Sequence, residues 1–497
     1  MRLAAALALA LPVAATSAAF ADGFAETGAD LVPRDAGALV VSGTLRVRGD
    51  LFGNLDLDRG VDAQGRPFFP VPLGDPAAQW LTSSDLRLRA DAAAYSPGGG
   101  FAIKMRADLP DTLALGTPLG GARGAAFPAR LERVYGEALT PLGVLELGRM
   151  ASDWGLGLLA NAGDCGDCEG GDTADRAAFI APIAGHLWAV AFDLGASGLT
   201  AERQTGARTL ELAPSAAPRT LTFAVLRWHD DDARLRRRRA GKTTVEYGAF
   251  VSVEWQASAV APAPDARAPT DAQVMDRGLT ATALDAWARL TFPSARIEAE
   301  ATALSLSIAQ ASLVPGALLR EPVSALQYGG EVQSDFGAPE SAFAAGLDVG
   351  LASGGAPSTL ALPDQAPAAG ATSLDALHFS PNHRVDRVLF AELMGGVTNA
   401  VYVRPHLRLR LVGDASCGLG ATLAVIASAA LVASATPGGA APLGVEVDPS
   451  LVYACERGFS AALDDGVLLP LSGLDNPAQG LVARPAQRLS LRVGYAF

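Results

Sequence analysis

The chain has 497 residues, 49% of them hydrophobic and 18% charged, with 54 glycines and a formal net charge of −13. That apolar content excludes a disordered chain, and the acidic balance lacks the basic footprint of a nucleic-acid binder. A mean hydropathy of +0.24 is high for a set of soluble domains, so the apolar residues call for another environment.

Met1-Arg2, the apolar stretch Leu3–Ala15 and Ala19-Phe20-Ala21 follow the order of a secretory signal with a small-x-small cleavage site. This assigns residues 1–21 to a cleaved signal peptide, 22–36 to a periplasmic N-terminal segment and 37–497 to one domain. The longest later apolar run, Ala421–Ser434, falls short of the ~20 residues a membrane helix requires.

Further along, the hydrophobicity has a period of two. Leu39, Val41, Leu45, Val47, Leu51, Leu55 and Leu57 alternate with Ser42, Thr44, Arg46, Arg48, Asp50, Asn54 and Asp56. Leu86 and Leu88 alternate with Arg87 and Arg89, Ile103 and Met105 with Lys104 and Arg106, and Val403, Leu407 and Leu409 with Arg404, Arg408 and Arg410. Strands of ~10 residues, apolar on one face and polar on the other, are what a closed antiparallel transmembrane β-barrel requires. Closure also removes the unpaired sheet edges that hydrocarbon would penalise. Short joints such as Pro97–Gly100, Thr140-Pro141-Leu142 and Pro293-Ser294 alternate with long stretches near 55–82, 109–129, 151–175, 353–385 and 471–485, as periplasmic turns alternate with external loops. Within these loops, an apolar piece such as Leu113–Leu119 is a candidate plug for the lumen. The pattern counts about eighteen strands, with sixteen as the alternative. Arg176–Leu194 reads either as one strand or as a hairpin bent at Gly185.

The four cysteines form two pairs. A hairpin centred on Thr436 sets Cys417 opposite Cys455 on the outward face, within reach of a cross-strand disulfide; two separate small apolar residues are the other reading. Cys165-Gly166-Asp167-Cys168 lacks the second pair of a zinc ribbon and the βαβ setting of a redox motif, which leaves a loop-stiffening disulfide. No metal ligand set is assigned. Its carboxylates, between Asp164 and Asp175, offer Ca²⁺ oxygen ligands without EF-hand spacing, or else form a solvated acidic loop.

Parity sends Arg46, Arg48, Arg87, Arg89, Lys104, Arg106, Arg488 and Arg492 inward on strands that meet where the barrel closes. Arg404, Arg408 and Arg410 make a separate basic stripe. Such walls select ions and orient polar solutes. Arg234–Arg239, after Asp230-Asp231-Asp232, falls in a periplasmic connection and pairs locally.

The final strand, Arg488–Phe497, alternates and carries Tyr495 two residues before Phe497. It resembles the C-terminal assembly signal of bacterial outer-membrane β-barrels, which the barrel-assembly machinery recognises. Trp154-Gly155-Leu156-Gly157, Gly171–Arg176 and Gly466–Pro470 are similar to segments of predicted outer-membrane barrels from myxobacteria-like organisms. These resemblances imply an integral outer-membrane barrel in contact with lipid, and no particular cargo. By resemblance to general porins, the loop after the fifth strand folds inward, and Asp164, Asp167, Glu169 and Asp172 would face the basic wall across a constriction.

An enzyme is the rival class, with His378 and Ser380 close in sequence, but no orienting carboxylate or G-x-S-x-G motif accompanies them. The sequence therefore predicts a porin-like channel, without cofactor or reaction, for small polar solutes or ions. A lipid- or peptide-acting barrel and a closed structural or adhesive barrel are the alternatives.

Overall fold

The computed structural model describes residues 23–497 except 26, 63–64, 66, 70–78, 117–127, 196–199, 203–208, 212–213, 261–273, 311–321, 339–340, 356–374 and 414–415. The signal segment 1–21 and the end of the candidate plug, residues 117–119, lie outside the described residues.

Strict alternation gives long strands, and turn chemistry breaks them. The strands are β1 (Ala38–Gly53), β2 (Trp80–Tyr95), β3 (Phe101–Asp108), β4 (Arg130–Thr140), β5 (Gly143–Ala151), β6 (Thr173–Ile183), β7 (His186–Leu194), β8 (Arg219–Arg227) and β9 (Thr244–Val260). They continue as β10 (Val274–Thr291), β11 (Ala295–Ile308), β12 (Val323–Phe336), β13 (Phe343–Ala352), β14 (Ala400–Gly413), β15 (Cys417–Ala430), β16 (Pro442–Cys455), β17 (Phe459–Pro470) and β18 (Ala486–Ala496). Each pairs antiparallel with its chain neighbours, and β1 also pairs with β18, Leu45 opposite Tyr495, so the eighteen strands close into one barrel. Leu113–Ala114, at the start of the candidate plug, adds a two-residue strand beside β2. Residues 176–194 are the hairpin β6–β7, turned at Ala184 and Gly185, both at positive φ.

The barrel is apolar outside and charged inside. Arg46 is 3% exposed while the next residue, Val47, is 38% exposed, and the same contrast recurs between Lys104 and Met105. Sequence parity places Leu55 and Leu57 on this outer face, but the structure turns them inward. β1 ends at Gly53, and positive φ at Asn54, Leu57 and Asp58 folds the chain over the barrel mouth, burying both leucines.

Cys417 and Cys455 are disulfide-bonded across β15 and β16, in direct register with a Cα separation of 4.0 Å. The basic run forms helix α1 (Asp231–Arg239) in the β8–β9 connection, capped by Asp230. Arg234 turns back onto Glu246, and Arg238 donates to the Pro293 carbonyl.

The described part of the N-terminal segment packs inside one end of the lumen. Phe24 packs with Trp154, Ile180, Leu226 and Trp287, and Leu31 packs with Tyr95, Ala102 and Val144. Asp30 accepts from Tyr95 Oη at 2.6 Å and from Lys104 Nζ at 2.9 Å. Inward apolar residues on these strands would otherwise face water, and the segment covers them.

Candidate functional site: the filled lumen and its chamber

Two loops descend into the barrel. The β5–β6 loop (152–172) lies directly on the basic wall, where sequence reasoning sets the two apart across a gap. Asp167 reaches Arg48 at 3.1 Å, Arg492 at 3.1 Å, Arg46 at 3.9 Å and Arg384 at 2.8 Å. Glu169 pairs with Arg46 at 3.5 Å and with Arg48, and Asp164 pairs with Arg133 at 2.9 Å and with Arg106. Burial disfavours charge on Asp167, yet Arg384, Arg492 and Arg48 outweigh it and hold the carboxyl down at about 2. Asp172 does not reach the wall. Its carboxylate accepts from the Asn161 backbone N–H at 2.9 Å within the loop.

The Cys165–Cys168 disulfide, with Cα atoms 5.2 Å apart, shapes the loop tip. Arg87 donates to the Cys168 carbonyl, and Arg89 to the Gly163 carbonyl at 2.9 Å. At the neck the two legs cross too closely for side chains: a Cβ on Gly163 would lie 1.7 Å from the Gly170 carbonyl oxygen. Glycine is required there. Of the carboxylates that the sequence offers to Ca²⁺, Asp164, Asp167 and Glu169 face guanidinium groups.

The remaining wall charges, Arg408 apart, have partners as well. Arg46 and Arg48 share Asp85, Arg89 holds Asp108 with two bonds of 2.9 Å, and Arg106 pairs with Asp91. Lys104 joins Asp30 and Glu137, Arg488 joins Asp50 and Glu392, and Arg404 joins Asp348. Arg410 lies exposed near the periplasmic end of β14.

The β13–β14 loop supplies a second insert, residues 375–399. Leu377, Phe379, Val388, Leu389, Phe390 and Leu393 pack with Leu55, Leu57, Leu158, Leu443 and Leu468 into the largest apolar cluster among the described residues, which roofs the lumen at its outer end. Carboxylates clasp the roof's backbone. Glu446 accepts from the N–H groups of Arg387, Val388 and Leu389 at 2.8, 2.8 and 3.0 Å, and Asp386 accepts from Phe390 and Ala391. His383 meets Glu331 at 2.5 Å and the Leu156 carbonyl at 3.0 Å. Burial opposes its charge, but Glu331 holds the imidazole above its ordinary value. Burial, with Glu446 alongside, pushes the Asp386 carboxyl well up.

Beneath this roof, toward the periplasm, lies a chamber of about 390 Å³. Six arginines and five aspartates line it, with His406 among them. Of the wall residues singled out by parity, Arg404, Arg408 and Arg488 reach it; Arg46, Arg48, Arg87, Arg89, Lys104, Arg106 and Arg492 are engaged elsewhere. Arg384 and Arg387, on the roof, carry no periodic signal and are not identified by strand parity. Arg133 is different: the alternation Arg133, Tyr135, Glu137 against Val134, Gly136 and Ala138 marks it as inward. His378 and Ser380 form no bond to each other among the described residues; the Ser380 N–H donates to the Leu158 carbonyl at 2.7 Å.

No protein-family model and no curated protein matches the sequence. Among solved structures, the chain is similar to the OccK9 (OpdG) protein of Pseudomonas aeruginosa, with a TM-score of 0.50 and 13% identity over 96% of this chain and 100% of that one. It is also similar to P. aeruginosa OpdK with vanillate, at a TM-score of 0.48 and 10% identity over 92% and 98% of the two chains. The likeness is one of fold. The shared feature is the closed antiparallel barrel, and the site must be argued from its own residues.

Proposed function

We propose that this protein is a porin-like outer-membrane channel for passive diffusion of small polar solutes or ions. The observation that carries this reading is the chamber: about 390 Å³ bounded by guanidinium and carboxylate groups inside a closed transmembrane sheet. A barrel built only for mechanical stability has no need of paired charges along a cavity, because filling the lumen with apolar side chains avoids their desolvation cost. Charged walls act on permeating ions and dipoles. Export through the leader at 1–21 and insertion through the final strand accompany this reading; Tyr495 and Phe497 are exposed on the lipid side.

A second reading, a closed structural barrel, is favoured by the apolar roof over the lumen. Single-channel recording in a planar bilayer under a salt gradient separates the two. Discrete conductance steps with a measurable reversal potential support the channel. Silence from protein shown to be folded supports the closed barrel and moves function to the outer loops.

A further inference from the structure

We infer that the chamber is a binding site for small zwitterions, solutes that carry one ammonium and one carboxylate; this deepens the channel reading and rests on it. The inference comes from strand register. On the lumen side β14 presents a cationic column, Arg404, His406 and Arg408. β16 presents an anionic one, with Asp448 directly below Glu446. Between them β15 presents Ile426 opposite Glu446 but a small side chain one row lower: His406 stands opposite Ala424, and Ala424 opposite Asp448. One row nearer the periplasm, Arg408 stands opposite Thr422.

Two strand spacings place the columns ~10 Å apart, and the β14 arginines turn elsewhere, Arg404 to Asp348 and Arg408 to the Ala338 carbonyl. The poles are accordingly left open. Asp448 is 4% exposed, lines the chamber, and its Oδ1 makes no hydrogen bond. Glu446 and Asp386 beside it are already taken by roof N–H groups. Arg408 makes no ion pair among the described residues; its one contact is to the Ala338 carbonyl at 3.5 Å. The nearby Arg387 is committed to Asp464 at 2.8 Å; a buried carboxyl oxygen left without a donor is costly, and an ammonium group placed over Ala424 would satisfy it. The ligand's carboxylate would then extend toward Arg408, with Arg404 behind. A solute bearing only one of the two charges leaves the opposite pole unsatisfied, which is the physical basis of the selectivity.

The test uses the full chain in detergent and three probes, β-alanine, propionate and propylammonium, with binding measured by calorimetry. β-Alanine binds at least ~10-fold more tightly than either single-charge probe. Asp448→Asn abolishes the preference over propionate, and Arg408→Gln abolishes the preference over propylammonium. Resistance of each variant to trypsin is the folding control, and a variant that fails it is replaced by Asp448→Ser or Arg408→Met. Equal affinity for all three probes, or preferences unmoved by both substitutions, overturns the proposal. Bilayer conduction is recorded separately: a conducting protein without zwitterion preference removes this inference alone, whereas selective binding without conduction removes the channel.

Discussion

The β5–β6 loop and the inserted part of the β13–β14 loop occupy the same lumen by different physics. The first is held by charge, with Asp164, Asp167 and Glu169 set among the guanidiniums of Arg46, Arg48, Arg106, Arg133 and Arg492. The second is held by apolar burial, with Leu389 and Phe390 almost fully covered, and by carboxylates that clasp its backbone. A fully buried Leu or Phe contributes ~1.5–3 kcal/mol, whereas ion pairs in a charged cavity roughly offset their own desolvation. The roof thus supplies stability, and the charged loop sets the field in the lumen. Among the described residues, Asp167–Arg384 at 2.8 Å is the ion pair that ties the two inserts together.

The largest expected effect comes from removing the roof. Replacing residues 376–397 by a short Gly-Ser linker opens the outer end and raises single-channel conductance severalfold. Unchanged conductance would mean that the route does not run beneath the roof. Next, Glu446→Ala strips three backbone N–H groups of their acceptor, a loss of ~3 kcal/mol to local closure. Trypsin cleavage after Arg384 and Arg387 should then accelerate ~100-fold while the barrel stays intact.

Charge substitutions act on selectivity rather than on opening. Asp167→Asn leaves its arginine partners with one fewer counter-charge and shifts the permeability ratio toward anions. Arg488→Glu with Arg492→Glu shifts it toward cations. Reversal potentials in a salt gradient read both, and displacement in the same direction by the two changes would sink the view that this loop sets the field.

The smallest effect is a pH dependence that differs between the inserts. Asp167, with its carboxyl held down at about 2, stabilises its loop at all pH values above the ~3.9 of an unfolded aspartate, and that stabilisation is lost as pH falls toward 2. His383 behaves oppositely. Its contribution is complete below the ~6.5 of a free imidazole and is lost as pH rises through its raised folded value; the raised Asp386 carboxyl works in the same direction. Trypsin susceptibility of the roof should rise modestly between pH 6 and 9, with the β5–β6 loop unchanged over that range.

Legibility in the sequence follows the same division. Alternation over Leu39–Leu51 identifies the barrel wall, because a strand's faces are decided by position alone. The Cys417–Cys455 register is legible for that reason: both residues stand equally far from one turn. The acidity of 164–169 marks that loop, but its direct contact with the wall depends on a glycine neck that only the folded loop reveals. The roof leaves almost no trace. Leu377, Val388 and Leu393 have neither helical nor strand period, and they cluster with Leu57 and Leu468 from distant parts of the chain. Phe24 and Leu31 likewise gain meaning only from the strands they cover.

By itself, then, the sequence determined a barrel whose period of two demands an apolar outer face, charge inside and an even ring of strands. These follow from local geometry, since each residue's face is settled by its neighbours in sequence. Tertiary structure alone decided which arginines the β5–β6 loop engages, where the roof lies, and that Arg408 and Asp448 are left facing a common chamber. Those outcomes depend on through-space distances between strands and inserts remote in the chain, which no periodicity encodes.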